Sequence, residues 1–200
     1  MTLNIPNSLI TFNSFLSVTY TPTAGSASVS PSKSPSISPS KSPSKSPSVS
    51  PSVSPSSSPS AGFSEYTRGD EVSLPANDDD LANEYTEQDY EDVAESDDVR
   101  VGQTGTGFVI HQFKDYVPKV GCNLHWEGQT NYDPALSTVY LQIFNRETEE
   151  WETIDSEGSI YVGANTDFVL TGDIVDLTDY KDSNNVISCR VWQSLPLEQN

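Results

Sequence analysis

The sequence predicts an all-β protein whose C-terminal part is an antiparallel β-sandwich. From residue 90 onward, short segments alternate apolar and polar residues with a period of two, and Gly, Asn and Asp lie between them. No stretch shows a long 3.6-residue period, so no long amphipathic helix is expected. An extended Ser/Pro repeat and a short N-terminal strand precede the sandwich.

The first segment, residues 1–28, is interpreted as an anchor peptide. Its apolar residues recur with a period close to two, which is typical of an extended strand. The segment has too little apolar area to fold alone, so it is either a disordered tail or a peptide that docks on another protein by strand addition or groove binding. We expect the docking peptide. The candidate docking residues are Ile10, Phe12, Phe15, Leu16 and Tyr20.

Residues 29–62 form a repeat with proline at every fourth position from Pro31 to Pro59. Each proline fixes its own φ and pushes the preceding residue into an extended conformation. Polyproline II at about 3.1 Å per residue would span roughly 90–100 Å, which suits a spacer. An O-glycosylated stalk and ordered chains packed side by side are the alternatives.

Residues 63–200 are predicted to form one acidic domain. Residues 76–90 indicate a helical turn or loop. Residues 145–150 are predicted to link the two strands of a hairpin. In the last predicted strand, residues 186–192, the side chains of Ile187, Cys189 and Val191 face one side, and those of Arg190 and Trp192 face the other. Strands are expected at residues 90–94, 99–101, 106–113, 122–127, 138–144, 151–154, 168–170 and 186–192.

The charge is strongly uneven along the chain. All 29 acidic residues but only seven of the ten basic ones follow residue 63, so the C-terminal domain carries a net charge of −22. Such a surface repels nucleic acids and anionic membranes, and neither partner is expected. No segment has the roughly 18 apolar residues of a membrane span, and the N-terminus lacks the basic and continuous apolar regions of a secretory signal.

No enzymatic activity is expected. His111 and His125 lie in predicted strands, and no serine lies in a GxSxG motif. Cys122 and Cys189 are interpreted as buried thiols, with a disulfide as the alternative, because a metal site would lack partners. No cofactor is expected, although the acidic run at residues 77–80 leaves a structural Ca²⁺ as an option.

Two short features indicate binding to other molecules. Arg68, Gly69 and Asp70 form the tripeptide that integrin ligands use, and we expect this match to be accidental. Exposed aromatic residues of a sandwich can stack on sugar rings. The candidates for glycan stacking are Tyr132, Trp151 and Tyr161.

Two runs, residues 138–155 and 168–192, resemble the C-terminal half of galactose-binding-like jelly-roll domains. The residues that carry the resemblance are Tyr140, Phe144, Trp151, Leu177, Tyr180 and the last strand at 186–192. Joined to a Ser/Pro repeat, such a domain is similar to structural proteins of tailed bacteriophages and to surface proteins of environmental bacteria. The resemblance covers about residues 89–193 and the repeat. It implies a jelly-roll-like sandwich and, because fold alone does not define activity, no particular chemistry.

The expected function is therefore a non-enzymatic structural protein of a phage virion, as a decoration, cement or fibre-like protein on the virion surface. Residues 1–28 would dock on capsid or tail proteins, and the sandwich would be displayed outside. A homo-oligomer is expected, with a trimer as the favoured state. The alternative is a secreted or cell-surface adhesion module whose sandwich binds a glycan on a Ser/Pro stalk.

Overall fold

The computed structural model describes residues 10–19, 64–70, 72–93 and 99–194, with the backbone alone described for residues 10–19 and 64–67. These residues form ten strands and one helix. They are β1 (Ile10–Thr19), β2 (Ser64–Arg68), β3 (Asn83–Glu84), α1 (Glu87–Asp92), β4 (Val101–Gly105), β5 (Phe108–Tyr116), β6 (Cys122–Thr130), β7 (Val139–Asn145), β8 (Glu150–Glu157), β9 (Phe168–Ile174) and β10 (Val186–Ser194).

The strands form two antiparallel sheets. Sheet A has the order β4-β1-β6-β9, and sheet B has the order β3-β2-β5-β10-β7-β8. Every pairing between neighbours is antiparallel. The all-β prediction is confirmed for the part of the chain that the structure describes.

The hydrophobic core lies between the two sheets. Along β6 the residues alternate buried and half-buried from Cys122 to Thr130, as the period of two predicts. Trp126 is the largest fully buried side chain. Fully burying an aliphatic or aromatic side chain contributes roughly 1.5–3 kcal/mol, so this shared cluster is what holds the sheets together. Its members include Val109, Phe113, Leu124, Trp126, Leu141, Ile143, Leu170, Ile187 and Val191.

β1 lies inside sheet A, between β4 and β6. Its register with β6 runs from Phe12 opposite Thr130 to Thr19 opposite Asn123. The extended strand predicted here is present, but it belongs to the same sandwich as β4, β6 and β9. The predicted boundary at residue 28 therefore does not separate an anchor peptide from a folded head. A period of two predicts a strand without indicating which sheet receives it.

A short helix occupies the position of the first predicted strand in the acidic domain. Instead of a strand at residues 90–94, α1 spans Glu87–Asp92. Thr86 caps it, because its hydroxyl accepts a hydrogen bond from the Asp89 amide while the Asp89 carboxylate accepts one from the Thr86 amide. This reciprocal pair is a capping box, and the T-x-x-D spacing in the sequence is its signal.

Two later predictions are confirmed. β7 and β8 pair as a hairpin around residues 146–149. The Asn145 side chain accepts hydrogen bonds from the amides of Glu147 and Thr148, which stabilises the turn. In β10, Ile187, Cys189 and Val191 join the core.

Cys122 and Cys189 are buried free thiols, one on each sheet. Burial raises the pKa of Cys122 to about 11 and holds that of Cys189 well above its usual value. Asp115 on β5 contributes to both shifts through its charge, and burial raises the pKa of its own carboxyl to about 6. Both thiols therefore remain protonated at neutral pH, which makes them poor nucleophiles.

Candidate functional site

The outer face of sheet B carries the most organised polar network that the structure describes. Most of the outward residues of β5, β7, β8 and β10 are polar or aromatic, and an irregular segment, residues 74–81, forms hydrogen bonds across them. We call this segment the strap. Its apolar ends, Leu74 and Leu81, pack against Phe108, Ile110 and Trp192 of the sheet.

Arg190 on β10 is a buried cation beneath the strap, only 5% exposed. Its Nε donates to Gln142 Oε1 at 2.8 Å, and its Nη1 donates to the Pro75 carbonyl at 2.8 Å. Its guanidinium carbon lies 4.1 Å from the ring centre of Trp151. No acidic side chain in the described ranges pairs with it, so its charge rests on neutral acceptors and an aromatic face. Burial lowers its pKa to about 10.

Trp151 at the start of β8 joins the strap to the sheet. Its indole Nε1 donates to the Asn77 carbonyl at 3.2 Å. Its ring meets the Phe144 ring edge-on, with 5.3 Å between the ring centres. Because the guanidinium of Arg190 covers the same indole, the half-buried Trp151 is used by the protein's own groups.

A second arginine forms an ion pair at the rim of this face. Arg146 Nη2 donates to Asp78 Oδ2 at 2.8 Å and to Ser188 Oγ at 3.2 Å, and its Nε donates to the Tyr180 carbonyl. Ser188 Oγ also donates to Asp78 Oδ2, at 2.6 Å. The pair is mostly buried, so loss of either partner would leave a poorly solvated charge.

The remaining bonds to the strap come from β5. Gln112 Nε2 donates to the carbonyls of Asp78 and Asp79, at 3.2 and 2.9 Å. Lys114 Nζ forms an ion pair with Asp80 at 2.5 Å. The strap is thus held mainly through its backbone carbonyls, which explains why an irregular segment can lie over a sheet.

An open cleft of about 620 Å³ lies between the strap and the β7–β8 turn. This volume is within the roughly 300–1,000 Å³ of small-molecule sites. The Arg146 charge is offset by Asp78, and Glu149 adds a negative charge, so an anionic ligand is disfavoured and a neutral ligand rich in hydroxyl groups is suited. The lining residues are Ala76, Asn77, Asp78, Phe144, Arg146 and Glu149.

The three aromatic residues predicted to stack on glycans do not share one surface. Tyr132 packs against the main core. Trp151 lies at the start of β8 and contacts Arg190, whereas Tyr161 follows the other end of that strand and is 88% exposed. From Trp151 to the end of β8 at Glu157 the strand rises by about 20 Å. Glycan stacking by all three on one ligand would therefore need a very long glycan.

The side chains of the predicted docking residues lie outside the described part of the chain. For Ile10, Phe12, Phe15 and Leu16 the structure gives backbone pairing in β1, and Tyr20 is not described. Docking through these side chains stays a prediction.

Both histidines lie in strands, as predicted. His111 on β5 is fully buried, with Nδ1 2.7 Å from the Tyr85 hydroxyl oxygen, and its ring stacks on Phe113. Desolvation lowers its pKa to about 3. His125 is half-buried in β6.

The Arg68-Gly69-Asp70 tripeptide is part of the fold. Arg68 ends β2 and is half-buried, and Asp70 has a positive φ of 47°. A Cβ on Gly69 would lie 2.4 Å from the Thr104 carbonyl oxygen, so glycine is required for this close approach. The backbone geometry accounts for the glycine without an integrin ligand.

The acidic side chains at residues 77–80 bond to other side chains of the same chain. Asp78 pairs with Arg146, Asp79 bonds to Asn77, and Asp80 pairs with Lys114. Within the described ranges, no group of three or more His, Cys, Asp or Glu side chains is placed to hold a metal ion. Nor does any helix there have the length and apolar character to cross a membrane.

Sequence reasoning missed the residues that build this site. Its polar network is formed by Arg190, Gln142, Arg146 and Asp78. Of these only Asp78 was considered from the sequence, and then as part of an acidic run that could bind Ca²⁺. The alternation of β10 did place Arg190 on the face opposite the core, and a charged residue inside such an apolar strand is the available signal.

Comparison with known proteins identifies no relative of the chain. No protein family, no curated protein and no solved structure matches it.

Proposed function

We propose that the protein is a non-enzymatic structural protein of a bacteriophage particle, displayed on the surface as a decoration, cement or fibre-like component with a jelly-roll-like sandwich. The observation that carries the proposal is the arrangement of the repeat. Residues 20–63 connect β1 of sheet A to β2 of sheet B, so a long proline-rich connection is attached at both ends to an acidic sandwich.

Charge supports a division of roles between these parts. Residues 1–63 contain three lysines and no acidic residue, whereas the remainder of the chain carries a net charge of −22. The positively charged part suits contact with a negatively charged particle surface, and the acidic sandwich suits exposure to solvent. Attachment would use residues 1–9 or the repeat, because both hydrogen-bonding edges of β1 are occupied within sheet A.

Purification of particles from the natural source tests this proposal. The chain is expected to sediment with the particles in a density gradient, at a fixed copy number and at moderate salt. Raising the salt concentration should release it, because an electrostatic contact is screened. Recovery of the chain only as free protein or on cells would contradict the proposal.

A secreted or cell-surface adhesion module is the second candidate, and the cleft at Phe144, Arg146 and Glu149 favours it. If the protein is such an adhesion module, it is expected to bind neutral saccharides on a glycan array. Glu149→Gln is expected to weaken that binding about tenfold, a loss of about 1.4 kcal/mol. Glu147→Gln, in the same turn but outside the cleft lining, is the matched control and should bind normally. A flat array with the wild-type chain would remove this candidate.

A further inference from the structure

β1 joins two strands of sheet A, β4 and β6, that have no pairing with each other. It is an interior strand, hydrogen-bonded to β4 on one side and β6 on the other. Without it, β4 would lose its partner in sheet A, and β6 would pair with β9 alone. The two strands would then border an open groove whose unpaired amides and carbonyls fit one antiparallel strand.

The connection that follows β1 begins and ends at the same end of the sandwich. Thr19 lies opposite Asn123 in sheet A, and Ser64 lies opposite Lys114 in sheet B. Asn123 and Lys114 flank the short turn between β5 and β6. Since packed sheets are about 10 Å apart, the 44 residues from 20 to 63 have only a short gap to bridge within one chain.

The sequence of this connection predicts a much longer reach. Residues 30–60 carry the proline repeat, and as polyproline II they extend about 95 Å. The other 13 residues of the connection span at most about 45 Å when fully extended. A fully straight repeat could not return the chain to its own sandwich, so the sequence of the connection disfavours pairing of β1 within one chain.

We propose that β1 is exchanged between copies of this chain, so that the groove between β4 and β6 of one copy receives Ile10–Thr19 of another. In the groove of another copy, the exchanged strand makes the same backbone pairings as in its own groove, so exchange requires no new interface. A flexible tether holds β1 near its own groove at a millimolar effective concentration, and a stiff one lowers that value. Exchange is therefore favoured as the concentration of the chain rises.

This inference concerns assembly of the chain alone and stands whether or not the protein belongs to a virus particle. Under this proposal, the N-terminal strand β1 is the contact between molecules, and its partner is a second copy of the chain. The recognition is backbone pairing in a preformed groove, as in strand addition.

Cysteine trapping in mixed copies tests the proposal. Ser17 and His125 are cross-strand neighbours of β1 and β6. One copy carries Ser17→Cys and a second, tagged copy carries His125→Cys, and both are expressed in the same cell. Exchange predicts a disulfide-linked dimer of one tagged and one untagged chain on non-reducing gels. The native thiols, buried and with raised pKa values, should not interfere.

Two further variants serve as controls. The double variant Ser17→Cys/His125→Cys should form a disulfide in any folded chain, as a covalent dimer or larger species after exchange and as a monomer without it. His125 and Thr171 are neighbours on β6 and β9, which are parts of one continuous segment. Mixed single variants His125→Cys and Thr171→Cys should therefore give no mixed dimer. If the double variant closes only within monomers and the Ser17→Cys and His125→Cys copies give no mixed dimer, β1 is not exchanged.

Discussion

Replacing Trp151 with alanine is expected to lower the free energy of unfolding by about 3 kcal/mol and to release the strap from sheet B. The indole of Trp151 contacts three groups. It donates to the Asn77 carbonyl, it meets the Phe144 ring, and it supports the guanidinium of Arg190. Its removal leaves a cavity beneath the strap and takes the aromatic face from a buried cation that has no carboxylate partner in the described ranges.

Trp151→Phe separates these contributions. Phenylalanine keeps an aromatic face for Arg190 but loses the hydrogen bond to Asn77, so a loss of about 1 kcal/mol is expected. Urea unfolding measures the stability of each variant. Limited digestion with chymotrypsin reports release of the strap through cleavage after Leu81, because Pro75 blocks cleavage after Leu74. Unchanged stability of Trp151→Ala, or equal resistance of its strap to digestion, would show that this tryptophan does not hold the strap.

The parts of the fold that follow from local patterns were predicted well. The alternation of β10 assigned Ile187, Cys189 and Val191 to the core and Arg190 and Trp192 to the opposite face. The β7–β8 hairpin followed from two alternating runs separated by a short polar link. In both cases the information lies within a few residues, because the side chains of a strand point alternately to its two faces.

Features that depend on distant pairing were not predicted. The pattern in β1 indicated a strand, but its partners, β4 and β6, begin about 90 and 110 residues later in the chain. The strap has no repeating pattern, and it is held by side chains that bond to its carbonyls, which the sequence does not distinguish. Arg190 and the Pro75 carbonyl are 115 positions apart, so no local signal connects them.

The buried imidazole of His111 is expected to make the protein sensitive to acid. Desolvation lowers its pKa from 6.5 to about 3 in the folded state. Between these values the unfolded chain binds a proton that the folded chain does not, so stability is full above pH 6.5 and falls as the pH drops toward 3. At about 1.4 kcal/mol per pH unit, the contribution lost at pH 4.5 is about 2–3 kcal/mol.

His111→Gln removes the titrating group but keeps a polar side chain that can bond to the Tyr85 hydroxyl. The variant is expected to be less stable than wild type at pH 7.5 and to recover about 2–3 kcal/mol relative to it at pH 4.5. Urea unfolding at the two pH values provides the comparison. Tyr85→Phe, which loses the hydroxyl and retains the histidine, is the matched control and should keep the wild-type dependence on pH.

The comparison between variants is needed because Asp115 acts in the opposite direction. Its pKa rises from 3.8 to about 6 on folding, so the folded state binds the extra proton between these values and gains stability as the pH falls. Asp115 is partly exposed, so solvent reduces its effect to roughly 1 kcal/mol. The pH dependence of wild-type stability taken alone therefore understates the loss of stability that His111 causes. If the stability difference between wild type and His111→Gln is the same at pH 7.5 and pH 4.5, the imidazole is protonated in the folded protein and cannot be as buried as its position in β5 requires.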